Sequence, residues 1–194
     1  MQYEPIDEKH PEFPIDIYSA NKCTAENYHL IYCNAHNISS TVIRLPNIYG
    51  PRSSIKSNDF GFVNYFIGLA LQDMDLTIFG KGDQKRNFLF VDDCVNALIE
   101  ASQEDKCIGE VFFASSDKHF SIAETAELII KVFGKGKIKH VKWPRERKTI
   151  EIGNVIISNE KIKNVLKWCP SFEITDGLKI TKDYYSNKLD KYLE

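Results

Sequence analysis

Apolar residues in this chain recur in two rhythms, short β-branched runs and longer stretches at helical spacing, and the two alternate from end to end. From Tyr18 to about Asn34, Ala25, Tyr28 and Tyr32 recur at helical spacing with Ile31 and Ala35 beside them, and neither Gly nor Pro interrupts, which predicts a helix. Thr41 to Leu45 is a β-branched run that stops at Pro46, so it predicts a buried strand feeding a loop through Asn47, Gly50 and Pro51. Asp59 to Gln72 reads as an apolar helix, Leu76 to Phe79 as a brief strand closed by the turn GKGD, and Phe88 to Val91 as another strand. DDCVNALIEASQ then predicts a helix opened by an aspartate cap, followed by a strand over Glu110 to Ala114. Ser121 and Glu124 have capping-box spacing ahead of AELIIKVFG, where Gly134 is a natural C-terminal stop. Beyond the segments Lys137 to Trp143 and Thr149 to Ile157, a short helix is expected near Glu160 to Leu166 and a last one near Thr175 to Asn187. Residues 1 to 16 predict an irregular surface loop, because Pro5, Pro11 and Pro14 break any ladder or helix. Strands alternating with helices place the chain in the α/β class.

Composition sets the scale of this fold and removes several function classes. At 194 residues and 43% apolar, the chain suits one domain with a sizeable core or one and a half small ones. Its 25 basic and 27 acidic residues are well mixed, so nothing marks an electrostatic footprint for nucleic acid or an acidic membrane. The longest apolar runs, such as Tyr65 to Leu71, are far shorter than a bilayer span. MQYEPIDEKH has no basic region followed by an apolar stretch, and a cytoplasmic location is expected. Five cysteines (Cys23, Cys33, Cys94, Cys107, Cys169) are scattered, with no CxxC pair and no histidine spaced as a co-ligand; reduced thiols are expected and no zinc site. A serine hydrolase lacks its GxSxG elbow here, and a P-loop enzyme its GxxxxGK[ST].

YSANK places a tyrosine and a lysine one helical turn apart, at Tyr18 and Lys22. With RLPNIYGPR, LTIFGKGDQKRNFLFVDD, GEVFFAS and KNVLKWCPSFEITDGLKIT, in that order and spacing, it resembles the second half of an extended short-chain dehydrogenase/reductase of the nucleotide-sugar epimerase/dehydratase family. The resemblance implies the C-terminal part of a Rossmann-type parallel sheet plus a small mixed α/β substrate-binding domain. Residues 1–51 and 87–118 would be the remnant of the NAD(P)-binding domain, and 52–86 with 119–194 the sugar-nucleotide domain. It implies a sugar carbon transiently oxidised by hydride transfer to NAD, with NADP the alternative, while a tyrosine removes the hydroxyl proton. Tyr18 matches that base. A phenol is neutral near pH 7, and an ammonium four residues along a helix favours the phenolate from the same face, as Lys22 would. Such an acid/base is worth about 10²- to 10⁴-fold in rate. In the family the lysine also holds the cofactor ribose, and the loop at Pro46 borders the nicotinamide. The same resemblance gives Asn47 an amide contact near the substrate phosphates and puts Thr77 and Phe79 beside the base. It gives Arg86 the nucleotide diphosphate, which a planar guanidinium suits by two-point hydrogen bonding. Arg145 and Arg147 of WPRERK would close the site over phosphate or ribose.

The departures from the family pattern carry as much as the matches. Ten glycines form no GxGxxG or GxxGxxG, so the turn that cradles the cofactor pyrophosphate is not in this sequence. The Ser or Thr that orients the substrate hydroxyl would precede QYEPIDE, and Ser19 points to a different helix face from Tyr18. Phe113 stands where many relatives carry Asn. A C-terminal portion of this kind is expected to leave the strands at Thr41–Leu45 and Glu110–Ala114 without the cofactor-side strands they pair with, exposing apolar edges. The partners implied are a nucleotide sugar, a second copy in a homodimer or a separately supplied N-terminal portion, and neither nucleic acid nor membrane. Epimerisation at carbon 4, as in a UDP-glucose 4-epimerase, leads among the reactions. Dehydration to a 4-keto-6-deoxy sugar, decarboxylation and keto-sugar reduction stay open, as does a non-catalytic fragment that binds sugar nucleotide but not NAD.

Overall fold

A computed structural model describes residues 2–58, 61–149 and 151–193. Helix α1 (Ile17–His36) is opened by a reciprocal cap: Asp16 Oδ1 accepts from the Ser19 amide at 2.7 Å, and Ser19 Oγ accepts from the Asp16 amide at 3.3 Å. Ser19 is therefore spent on the helix end. Strand β1 (Val42–Arg44) follows, then β2 (Asn47–Tyr49), helix α2 (Phe62–Leu71), β3 (Asp75–Phe79) and β4 (Lys85–Phe90). Next come α3 (Val91–Ser102), β5 (Val111–Phe113), β6 (His119–Ser121), α4 (Ile122–Phe133), β7 (Lys137–Val141) and the single turn α5 (Arg145–Thr149). Helices α6 (Glu160–Leu166), α7 (Ile174–Ser186) and α8 (Asp190–Leu193) close the chain. The start expected at Asp59 for the second helix lies outside the described residues; the helix is described from Phe62, with Gly61 as its N-cap. Ile150, within the expected segment Thr149 to Ile157, also lies outside them.

Among the described residues three small sheets arise from this order. Strand β1 pairs in parallel with β5, Ile43 opposite Phe112; β4 pairs in parallel with β2 and antiparallel with β6; β3 pairs in parallel with β7. Two expectations change here. The segment after Pro46, expected as a loop, is a strand, because a proline cannot donate to the ladder and the chain changes partner across it: Ile48 lies opposite Leu89 of β4. The strands expected to lose their neighbours pair with each other, and among the described residues the outer edges of both β1 and β5 carry no strand.

Helix α3 also departs from expectation. Phe90 is its N-cap and makes no side-chain cap bond; Asp92 and Asp93 lie within the first turn. Asp93 is turned inward and buried, where its carboxylate accepts the amides of Ser171 (2.9 Å) and Phe172 (3.1 Å) and ties α3 to the segment before α7. Helix α4 has the expected Ser121–Glu124 capping box and ends on Gly134 in the left-handed region.

The larger core runs through Tyr49, Phe66, Ile67, Leu76, Ile129 and Leu178 and unites α2, α4 and α7 with β2, β3 and β4. Gly177 makes this packing feasible: a Cβ there would lie 2.3 Å from the Tyr49 hydroxyl and 2.7 Å from the Phe90 ring. A second cluster (Leu89, Cys94, Ala97, Phe112, Ile162, Trp168) joins α3 and α6 to the β1–β5 sheet.

Candidate active and nucleotide-binding site

Beside the larger core a cavity of about 440 Å³ opens between α2, the ends of β3 and β4 and the segment from Trp143 to Glu151. Helix α2 supplies Phe62, Tyr65 and Phe66, a stripe at i, i+3 and i+4 that lines one side. Strand β3 supplies Thr77 and Phe79, and Phe79 stacks obliquely on Trp143 with ring centroids 5.4 Å apart. Gly80, at φ +64°, lets the indole close in, since a Cβ there would sit 2.6 Å from Trp143 Nε1. The Gln84 side-chain oxygen on the cavity wall is buried and has no hydrogen-bond partner among the described residues.

Among the described residues three charged ones line the cavity, Arg147, Glu151 and the hydrogen-bonded Arg86. Arg86 Nη2 donates to Glu151 Oε1 (2.8 Å), and its Nη1 donates to the carbonyls of Gly153 (2.5 Å) and Lys85 (2.9 Å). The strap carrying Glu151 and Gly153 is laced to β4: Lys85 N–H donates to Asn154 Oδ1 (3.0 Å), and Val155 N–H to the Lys85 carbonyl (3.0 Å). Further on, Ile157 N–H donates to Nε2 of the half-buried His119 (2.9 Å). Burial, reinforced by the Lys85 ammonium, holds that imidazole below the usual histidine range, against the opposing pull of Glu4. Ile6 bridges to Ile157 from the other side, so the N-terminal segment buttresses the strap.

Three of the residues expected at the substrate, Thr77, Phe79 and Arg86, meet in this cavity; Tyr18, Lys22, Pro46, Asn47 and Arg145 do not line it. Tyr18 and Lys22 lie on one face of α1 with the ammonium 5.7 Å from the phenol ring centroid, and Tyr18 is 71% exposed. Asn47 opens β2 and donates its amide to the Asn87 carbonyl (3.0 Å). Arg147, not Arg145, reaches the cavity; two residues apart on a helical turn, they face opposite ways. Sequence reasoning missed Glu151, Trp143 and Gln84. The aromatic stripe of α2 was visible as apolar spacing, whereas Glu151 is one acid in a charged run and carries no local signal.

The chain belongs to the NAD dependent epimerase/dehydratase family, whose profile matches residues 1–114. It is 28% identical over 186 residues to a putative UDP-glucose 4-epimerase of Methanocaldococcus jannaschii, covering 95% of this chain and 58% of that protein. Among solved structures it is similar to the UDP-glucose 4-epimerase of Thermotoga maritima with UDP-glucose (TM-score 0.87, 25% identity, 97% of this chain and 59% of the other). It is also similar to the dTDP-glucose 4,6-dehydratase of Bacillus anthracis in complex with NAD (TM-score 0.83, 26% identity, 100% and 60%). The chain thus spans a little over half the length of these relatives.

The described residues do not fit the pyrophosphate of NAD. Strand β4 enters α3 through Phe90 and Val91, and β6 enters α4 through Ser121 and Ile122, neither across a glycine-rich turn. Among the described residues no group of His, Cys, Asp and Glu could hold a metal ion, and no helix is long and apolar enough to cross a membrane.

Proposed function

We propose that this chain is the catalytic and sugar-nucleotide portion of an NAD-dependent nucleotide-sugar 4-epimerase of the cytoplasm. The observation that carries the reading is the cavity in which a half-buried, pre-oriented Arg86 faces an aromatic wall of Phe62, Phe79 and Trp143. That combination suits a nucleotide: a planar cation for the diphosphate and rings for the base. Tyr18 takes the proton of the sugar hydroxyl at its phenolic oxygen and later returns it, and the Lys22 ammonium on the same helix face stabilises the phenolate between the two transfers. NAD, held by a polypeptide that carries the glycine-rich turn, would supply the hydride acceptor. Asn47, Thr77 and Phe79 would orient the nucleotide, Pro46 would lie on the nicotinamide side, and Arg147 takes the phosphate-side role that the sequence also offered to Arg145. Residues 1–51 and 87–118 form the cofactor side and 52–86 with 119–194 the substrate side. Relatives described as dehydratases and decarboxylases keep 4,6-dehydration and decarboxylation as the alternative reactions on the same site.

A second reading is favoured by one observation: Tyr18 is exposed and does not line the cavity. On that reading the 194-residue chain alone binds sugar nucleotide but not NAD, and catalysis needs a polypeptide bearing the glycine-rich turn to pair with the open edge of β1. Titration calorimetry of the chain against UDP-glucose and NAD, with Arg86→Ala as control, tests both. Sugar-nucleotide binding that the substitution removes is the expected result. Tight NAD binding would sink the incomplete-cofactor-site account, and binding of neither ligand would sink the nucleotide-site reading.

A further inference from the structure

We infer that Glu151 is a positioning residue for Arg86, setting the preference of the cavity for a diphosphate over a monophosphate; this rests on the nucleotide-site reading above. A free arginine has five N–H donors and a long flexible stem, so an unsupported guanidinium must lose rotamer freedom on meeting a ligand. Here three of those donors are already committed, to Lys85 O, Gly153 O and Glu151 Oε1. Among the described residues the Nε proton and one Nη2 proton have no partner, so both can meet a phosphate without any of the three bonds being broken.

Glu151 could instead be a competitor, an internal anion that a ligand phosphate must displace. The geometry points the other way. Oε1 of Glu151 is also held by the Gly153 amide at 2.9 Å, while the Gly153 carbonyl takes Arg86 Nη1, so carboxylate, turn and guanidinium form one closed hydrogen-bonded loop. The turn is in turn fixed to β4 through Asn154 and Val155. A carboxylate bonded to its own backbone two residues on is part of the frame. The Arg86 and Glu151 side chains are only 16% and 23% exposed, so their ion pair is partly shielded from water although Gly153 at the turn is exposed.

The test is calorimetric titration of UDP and UMP on the full chain, as wild type, Glu151→Ala and Glu151→Gln, with thermal unfolding of each. Glu151→Ala frees the guanidinium, and UDP is expected to weaken about tenfold or more, the scale of a hydrogen bond to a charged group, while UMP changes by less than about threefold. Glu151→Gln keeps an oxygen acceptor in place and should restore UDP to within about threefold. Tighter UDP binding by Glu151→Ala would establish the competitor role and overturn the inference. Equal weakening of UDP and UMP, or no change in either, would overturn it too, the first by showing a general structural effect. Failure of the wild type to bind either nucleotide would remove the nucleotide-site reading itself, and the inference with it.

Discussion

Helices α1 and α7 make the most instructive contrast in the molecule. Helix α1 has 20 residues and buries none of them, leaving Ile17, Tyr28, Ile31 and Tyr32 exposed. Helix α7 has 13 residues and buries Ile174, Gly177, Leu178, Thr181 and Tyr185 against the larger core. Their support is correspondingly different. Helix α7 is held by apolar packing, whereas α1 is held by its caps and by polar links, above all Arg44 of β1, which pairs with Glu26 (2.6 Å) and with Glu12. The lesson is that the cavity proposed for the nucleotide stands on a well-buried core, while the helix bearing the proposed acid/base offers its apolar residues outward.

The largest effect expected from that contrast is on stability. Leu178→Ala should cost about 2–5 kcal/mol by lost burial and a residual cavity, because Leu178 is fully buried. Ile31→Ala on α1 should stay within about 0.5 kcal/mol. Thermal unfolding of the two variants measures this directly. A loss from Ile31→Ala as large as that from Leu178→Ala would mean that α1 is covered in solution, for example by a second copy, and would break the contrast.

The same division runs through a single helix. On α3, Val95, Leu98 and Ile99 are roughly half exposed, while Asp93, Cys94, Ala97 and Ala101 are buried. Asp93→Ala leaves the amides of Ser171 and Phe172 without their acceptor and should cost about 1–3 kcal/mol, and Asp93→Asn less, since the amide oxygen can still accept. Leu98→Ser should stay within about 0.5 kcal/mol. Urea unfolding sharpens the comparison: a milder effect from Asp93→Ala than from Leu98→Ser would show that the outer face of α3, not the Asp93 bracket, carries the load.

Much of this was legible from the sequence where the signal is local. The α/β class, the Ser121–Glu124 box, the Gly134 stop and the spacing of Tyr18 and Lys22 depend on neighbours along the chain and stand in the structure as read. What escaped depends on distant segments. Asp93 looked like a cap because aspartate near a helix start usually is one; its partners lie 78 and 79 residues away. The strand after Pro46 was hidden because a proline followed by Asn47 and Gly50 has turn chemistry, and only β4 alongside makes it extended. In the cavity lining, Arg86 stood out in the sequence because a motif surrounds it, whereas Glu151 reaches it across 65 residues.

The smallest effect expected lies at the seam between the two regions, where the strap of the cavity meets the N-terminal segment. His119 Nε2 accepts from the Ile157 amide (2.9 Å), so this ring nitrogen must be unprotonated. Burial lowers its pKa, Lys85 adds to the shift and Glu4 opposes it. The sign follows from linkage: near and below about pH 6.5 the unfolded histidine takes a proton that the folded one resists. The stabilisation is therefore complete above that range and declines as pH falls toward the depressed folded value, at no more than about 1.4 kcal/mol per pH unit for one proton. His119→Gln can offer an oxygen to the Ile157 amide but cannot titrate. Midpoints of thermal unfolding at pH 7.5 and 5.5 should fall further for the wild type than for His119→Gln. Parallel falls would show that carboxylates alone govern the acid side and that the seam is indifferent to His119.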